Sequence, residues 1–234
     1  MQPVYEDNHI IIVNKSPGEI VQGDKTGDEP LVETVRAYLK EKYAKPGNVF
    51  CGVVHRLDRP VGGLVIFAKT SKALTRLNEM FRNGQVKKTY LALTRNRPPH
   101  ESERLVHYIT STERNNKSYA STTPKKDSKP AALSYRLVGS SDRYHMLEIN
   151  LETGRKHQIR VQLAAIGCPI KGDLKYGDRR SNPDGSISLQ AHSIEFEHPV
   201  SHKMIRVEAP LPDDNLWQSF DYPPANSNAD GHSD

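Results

Sequence analysis

Cysteine is nearly absent from this chain: there are two in 234 residues, Cys51 and Cys168, and they are not at metal-ligand spacing. With no signal peptide either, a soluble protein of a reducing compartment is expected, namely the cytoplasm. Long apolar runs are missing too, so no segment is suited to span a membrane. Internal repeats and a GxxxxGK phosphate loop are also missing, and neither a solenoid nor an ATP-type cofactor is implied. What is present is a modest positive balance. Lys and Arg number 33 against 28 Asp and Glu, a formal charge of +5 with a pI near 9.1, which suits a polyanionic partner. The length allows one large domain or two small ones, and a single catalytic domain over residues 1–222 is expected, followed by a disordered tail at 223–234.

The chain is organised around Gly52–Lys69, GVVHRLDRPVGGLVIFAK. Val53 and Val54 before the charged residues, and Leu64–Ala68 after them, read as two buried strands. Between them His55, Arg56, Asp58 and Arg59 crowd into a loop that Pro60, Gly62 and Gly63 allow to turn sharply. One carboxylate among two arginines and a histidine favours the ionised form, fit for a nucleophile or a base. An isolated HRLD is more often a salt-bridged surface loop than a catalytic one, so other segments must decide.

Further along, Leu31, Val35 and Leu39 recur at helical spacing, closed by Pro46-Gly47. Ser71 is the expected N-cap of a second helix with Leu74, Leu77 and Phe81 on its apolar stripe and Gly84 past its end. Val86–Thr94 alternates as a strand with Lys88 and Tyr90 on one face. The polar segments 95–104 and 114–129 read as loops, the second carrying lysines that could close on a phosphate backbone. Leu133–Leu137 and Met146–Leu151 read as a hairpin, and 189–196 with 205–207 as further strands. The second decisive stretch is Leu151–Gly177, LETGRKHQIRVQLAAIGCPIKGDLKYG. Ile159, Leu163 and Ile166 make a helical stripe that Gly167 ends. Arg155 and Lys156 lie at the start of that helix, where its dipole disfavours positive charge, so local stability does not explain them and a partner anion does.

Taken together these motifs resemble the RluA-type RNA pseudouridine synthases. The resemblance runs through Glu6-Asp7 with Asn14-Lys15 and Pro17-Gly18, HRLD at 55–58 with Gly63-Leu64, Lys88-Thr89-Tyr90-Leu91-Ala92, TGR-HQIR at 153–160, and His198-Pro199. Val61 and Gly62 stand where many members carry Thr-Ser, and Gln190 where histidine is common. The resemblance implies Asp58 as catalytic acid, Tyr90 lying over the target base, and Arg155 as the basic partner of Asp58, with Arg160 the second choice. It further implies His55, Arg56, Leu57, Lys88, His157 and Arg160 as substrate-binding or positioning residues. The catalytic region is expected without a preceding S4-type RNA-binding domain.

The implied reaction breaks the N1–C1′ bond of a uridine, turns the base and rejoins it through C5, with no cofactor and no metal. Asp58 acts at the ribose, by attacking C1′ or by taking a proton from C2′. The uridine must leave its stack to be reached, and Arg56 could fill the gap or bind a phosphate. The partner is RNA, ribosomal or transfer, acted on by a monomer without membrane attachment. Pattern alone gives an α+β fold with a largely antiparallel sheet, and the resemblance adds a mixed, bent sheet with a central cleft and flanking helices. Two rivals differ in class. A metal-dependent hydrolase would use His55, Asp58 and His157, which lack a close-set ligand motif beside arginines. A non-catalytic RNA-binding protein on the same fold could dispense with the acid.

Overall fold

Ile10–Val13 and Leu64–Ala68 are apolar at successive positions, so the strands they form need cover on both faces. The computed structural model, which describes residues 1–223, provides it. Strands β1 (Tyr5–Glu6), β2 (Ile10–Lys15), β3 (Gly52–Val53) and β4 (Gly62–Ala68) pair antiparallel in the order β1-β2-β4, with β3 also on β4. Odd and even positions part company. Ile10, Ile12, Leu64 and Ile66 pack with Ala73 and Leu77 of helix α2 (Ser71–Arg82), whereas Ile11, Val13, Val65 and Phe67 pack with Val35 and Leu39 of helix α1 (Leu31–Lys42). Each such side chain, fully buried, contributes roughly 1.5–3 kcal/mol before chain entropy is set against it. Helix α2 begins one residue earlier than expected from an N-cap at Ser71. Thr70 is its N-cap, the hydroxyl accepting the Ala73 N–H at 3.2 Å.

The described chain divides into two compact units, each assembled from separated stretches. The first takes Met1–Val86 and Ser193–Ala209, the second Lys87–His192 and the segment from Pro210 onward. In the second unit β5 (Lys87–Thr94), β6 (Ser102–Thr112), β7 (Lys117–Ser121), β8 (Lys129–Ser140) and β9 (His145–Leu151) form antiparallel pairs in the order β5-β9-β8-β6-β7. Helix α3 (Gln158–Ala165) follows, and β10 (Leu189–Glu197) passes from the second unit into the first, where it pairs with β11 (Met204–Glu208). The short helix α4 (Asn215–Gln218) sets Trp217 and nearby Phe220 against Leu91, Leu93 and Met146. Gly139 sits at the irregular step in β8, where a Cβ would meet Phe220 at 2.8 Å. This is an α+β fold.

Residues 114–129 are not simply a loop. Lys117–Ser121 forms β7, paired with Tyr108–Thr112 of β6. The 95–104 segment likewise gives way to β6 at Ser102, and 189–197 is one continuous strand. The tail beyond 223 lies outside the described residues. No helix among them is long and apolar enough to cross a membrane.

The Glu6-Asp7 pair fastens the first unit. Glu6 Oε1 accepts from Lys69 Nζ at 2.8 Å and Tyr43 Oη at 2.6 Å, and Oε2 from Lys42 Nζ at 2.8 Å and Tyr38 Oη at 3.0 Å. Burial alone would raise the Glu6 pKa, but the bonds from Lys42, Lys69 and Tyr43 prevail and hold it near 2. A carboxyl depressed on folding stabilises fully above its unfolded value and loses that contribution as pH falls through the folded one. The network is therefore worth roughly 2 kcal/mol at neutral pH, allowing for solvent screening at Lys42, and is lost between about pH 4.5 and 2. Denaturant unfolding as a function of pH checks this. Glu6→Gln should flatten the acid limb of the stability curve, and an unchanged limb would remove Glu6 from the account.

Candidate active site

In the HRLD loop three side chains are half-buried and one faces solvent. Leu57 turns inward and packs against the α1-side core, while Arg56 is exposed and Asp58 half-buried. The apolar side chain of Leu57, expected at the substrate, anchors the loop on this core. His55 accepts the Ile66 N–H through Nε2 at 3.1 Å and stacks on Phe81 with ring centres 4.8 Å apart, so it fastens the loop to β4 and α2. The Val61 N–H donates to the Asp58 carbonyl at 3.0 Å, closing a turn around Arg59 and Pro60. Gly62, where Ser is common in the resembled pattern, backs onto Pro17, whose Cδ would lie 3.3 Å from an added Cβ.

Lys15 is the residue sequence reasoning passed over. It ends β2 opposite Gly63, is only 1% exposed, and donates from Nζ to the carbonyls of Ser16 (2.9 Å), Glu19 (2.8 Å) and Arg59 (3.2 Å). Gly18 N–H adds a second bond to the Arg59 carbonyl at 2.8 Å. Burial lowers the Lys15 pKa to about 8, opposed by the charges of Glu19 and Asp58. The asparagine-lysine motif is thus the clamp on the peptide next to the acid. Lys15→Met removes these bonds and strands buried carbonyls, for an expected loss of about 2–3 kcal/mol in urea unfolding. Turnover should fall as well, because the loop loses its fixed backbone; full turnover in a folded Lys15→Met protein would dismiss the clamp.

In the second unit, Tyr90 is buried on β5 opposite Ile149, and Lys88 of the same strand faces Gly154, with Nζ 3.9 Å from where a Cβ would sit. Desolvation lowers the Lys88 pKa. The TGR turn is held from beneath by Gln158. Its Oε1 accepts from Thr153 Oγ1 (2.7 Å) and the Arg155 N–H (3.0 Å), while Nε2 donates to the Ala132 carbonyl (3.0 Å). Arg155 is exposed, with Nε donating to the Pro130 carbonyl at 3.1 Å.

His157 and Arg160, expected as substrate-binding or positioning residues, are buried. His157 takes a left-handed backbone (φ 55°), and its Nδ1 lies 2.8 Å from the Tyr176 hydroxyl, which also accepts the Ser118 N–H at 2.8 Å. Arg160 lays its fork on Asp173, Nε to Oδ2 at 2.7 Å and Nη2 to Oδ1 at 2.9 Å, and stacks over the Tyr176 ring. Asp178 accepts the Gly172 N–H at 2.6 Å, and Gly172 has φ +88° with the Ser186 carbonyl 2.8 Å from any added Cβ, so only glycine fits. The KGDLKYGD run therefore supports α3 through Asp173 and Tyr176, roles that only its place in a long motif could have signalled.

Of the expected site residues, His55, Arg56, Leu57 and Asp58 lie in the first unit, and Lys88, Tyr90, Arg155, His157 and Arg160 in the second. Among the described residues no group of three or more His, Cys, Asp or Glu is placed to hold a metal ion.

A profile of the RNA pseudouridylate synthase family matches residues 9–165. An uncharacterised RNA pseudouridine synthase of Bacillus subtilis is 33% identical over 213 residues, covering 90% of this chain and 69% of the relative. The ribosomal large subunit pseudouridine synthase C of Vibrio cholerae is 33% identical, covering 89% and 65%, and the tRNA pseudouridine synthase C of Pectobacterium carotovorum 29% identical, covering 93% and 60%. This chain thus spans about two thirds of the length of the curated relatives it matches. Among solved structures, the human protein described as RNA pseudouridylate synthase domain containing 4 superposes with a TM-score of 0.76 at 21% identity over 90% of this chain and 88% of its own, a likeness of fold. With HRLD, K-x-Y-x-A and TGR-HQIR all inside or beside the matched region, the chain belongs to the RNA pseudouridine synthase family.

Proposed function

We propose that this protein converts uridine to pseudouridine in structured ribosomal or transfer RNA, with Asp58 acting at the ribose of a flipped-out uridine. The observation that carries the reading is the clamp on the acid's loop. A buried lysine, a backbone N–H, a histidine brace and an inward leucine fix the residues on either side of a half-buried carboxylate. Such preorganisation fixes the carboxylate in one geometry, which a loop that only faces solvent does not need. Tyr90 receives the base, and the exposed Arg56 occupies the place the nucleotide leaves or holds a phosphate. Arg155 is the basic partner of Asp58 in this reading.

A second assignment for that partner has an observation in its favour. Arg160 is buried and oriented by Asp173, so less order is lost when it pairs with a carboxylate than for the exposed Arg155. The partner is the arginine whose replacement by lysine lowers kcat with KM unchanged.

The test of function uses the C5 hydrogen, which leaves the base when C5 bonds to C1′. Ribosomal and transfer RNA carrying tritium at uridine C5 should release tritium to water on incubation with the purified protein, and mass spectrometry should find pseudouridine. No release from either RNA, with binding intact, would leave a binding protein on this fold.

A further inference from the structure

Arg59 follows Asp58 directly, and its two ends are treated differently. Its carbonyl is clamped by Lys15 and Gly18 at 3.2 and 2.8 Å. Its guanidinium lies at the surface, 39% exposed, on the tip of a loop from the same unit. Nη1 donates to Asp28 Oδ2 at 2.7 Å and Nη2 to Thr26 Oγ1 at 2.8 Å, with Asp24 Oδ2 3.7 Å away.

That loop is closed at its neck. The Leu31 N–H donates to Ile20 O at 2.7 Å and the Val32 N–H to Val21 O at 3.2 Å, and all four residues are buried. Residues 22–29 between them are exposed at every position, and none is apolar. A compact loop with a pinned neck and no apolar side chain to bury gains its tip order from charges, and exposed ion pairs are weak. It therefore responds to any stronger anion that reaches the same guanidinium. A phosphodiester offers two oxygens that match the arginine fork as well as a carboxylate does.

We propose that Arg59 is a phosphate-binding residue for the RNA strand, held in reserve by Asp28 and Asp24, and that substrate phosphate displaces these carboxylates and releases the 22–29 loop. The proposal rests on the RNA reading given above. It makes the acidic loop a competitor beside the catalytic carboxylate, so that only a strand seated deeply enough to reach Arg59 frees the loop.

Fluorescence anisotropy with a single-stranded oligouridylate RNA across a salt series tests it, using Asp28→Asn, Glu29→Gln, Arg59→Ala and the double variant Arg59→Ala/Asp28→Asn. Asp28→Asn should tighten binding by about threefold, the scale of one exposed ion pair. Glu29→Gln, the same charge change on the same loop but away from the guanidinium, should leave binding within about twofold. Arg59→Ala should weaken binding and lower the slope of log affinity against log salt by about 1. It should also abolish the gain from Asp28→Asn. Hydrogen exchange at residues 22–29 should quicken when RNA is added to the wild type and not when it is added to Arg59→Ala. Two results overturn the proposal: a gain from Asp28→Asn that survives in the Arg59→Ala background, or an equal gain from Glu29→Gln, either of which reduces the loop to a general field. Wild-type protein that binds no RNA overturns the functional reading first and this inference with it.

Discussion

Asp58→Asn is expected to lower pseudouridine formation by at least about a thousandfold while leaving the protein folded and RNA-binding intact. The substitution keeps the shape of the side chain and removes only its charge and basicity, so the clamp by Lys15, His55 and Leu57 is preserved. An amide can neither form a glycosyl ester at C1′ nor take the C2′ proton, so both routes at the ribose close together. Single-turnover tritium release, with RNA binding measured on the same preparation, separates loss of chemistry from loss of substrate. Activity within tenfold of wild type would move the reaction to another group.

The second large effect is on stability. Asp173→Ala removes the carboxylate that holds the buried Arg160 through two nitrogens, the two side chains being 1% and 6% exposed. Breaking a pair of this kind by removing one member costs roughly 3–5 kcal/mol, much more than the pair contributes relative to an apolar replacement. Guanidinium unfolding should show the loss, and Asp173→Asn, which retains one acceptor, should recover part of it. A change below about 1 kcal/mol for Asp173→Ala would mean that Arg160 finds another carboxylate or water there. Because α3 carries Gln158, which holds the TGR turn, turnover of the folded fraction should fall as well.

Much of this was legible in the sequence where local pattern and chemistry coincide. The apolar run of β4 announced a buried strand, and the α1 and α2 stripes announced two amphipathic helices beside it. HRLD and TGR-HQIR were legible as sites because charge sits there against local preference. What escaped depends on distance along the chain. Lys15 looks like any turn lysine until its Nζ is seen on the carbonyl of Arg59, 44 positions away. β7, with the sequence KSYAS, has no apolar alternation to announce it; its order comes from β6 beside it and from Tyr176, which takes the Ser118 N–H from 58 positions downstream. The contacts of His55 with Ile66 and Phe81, of Leu57 with the α1-side core and of His157 with Tyr176 likewise cross the chain and have no local signature. The division into two units from interleaved stretches has no local signature, because periodicity reports the neighbours of a residue and not the return of the chain.

That interleaving bears on how the protein is made. The apolar face formed by Ile10, Ile12, Leu64 and Ile66 is completed by Ile194, Phe196 and Val207. A ribosome delivers the first four early and the last three only after all of Lys87–His192 has emerged. At about 5–20 residues per second, the half-built face waits some seconds with its strands formed and its cover missing. The nascent first unit is therefore the stage at which apolar surface stays open longest, and slowing translation between codons 87 and 192 should lower the soluble yield more than slowing it anywhere earlier.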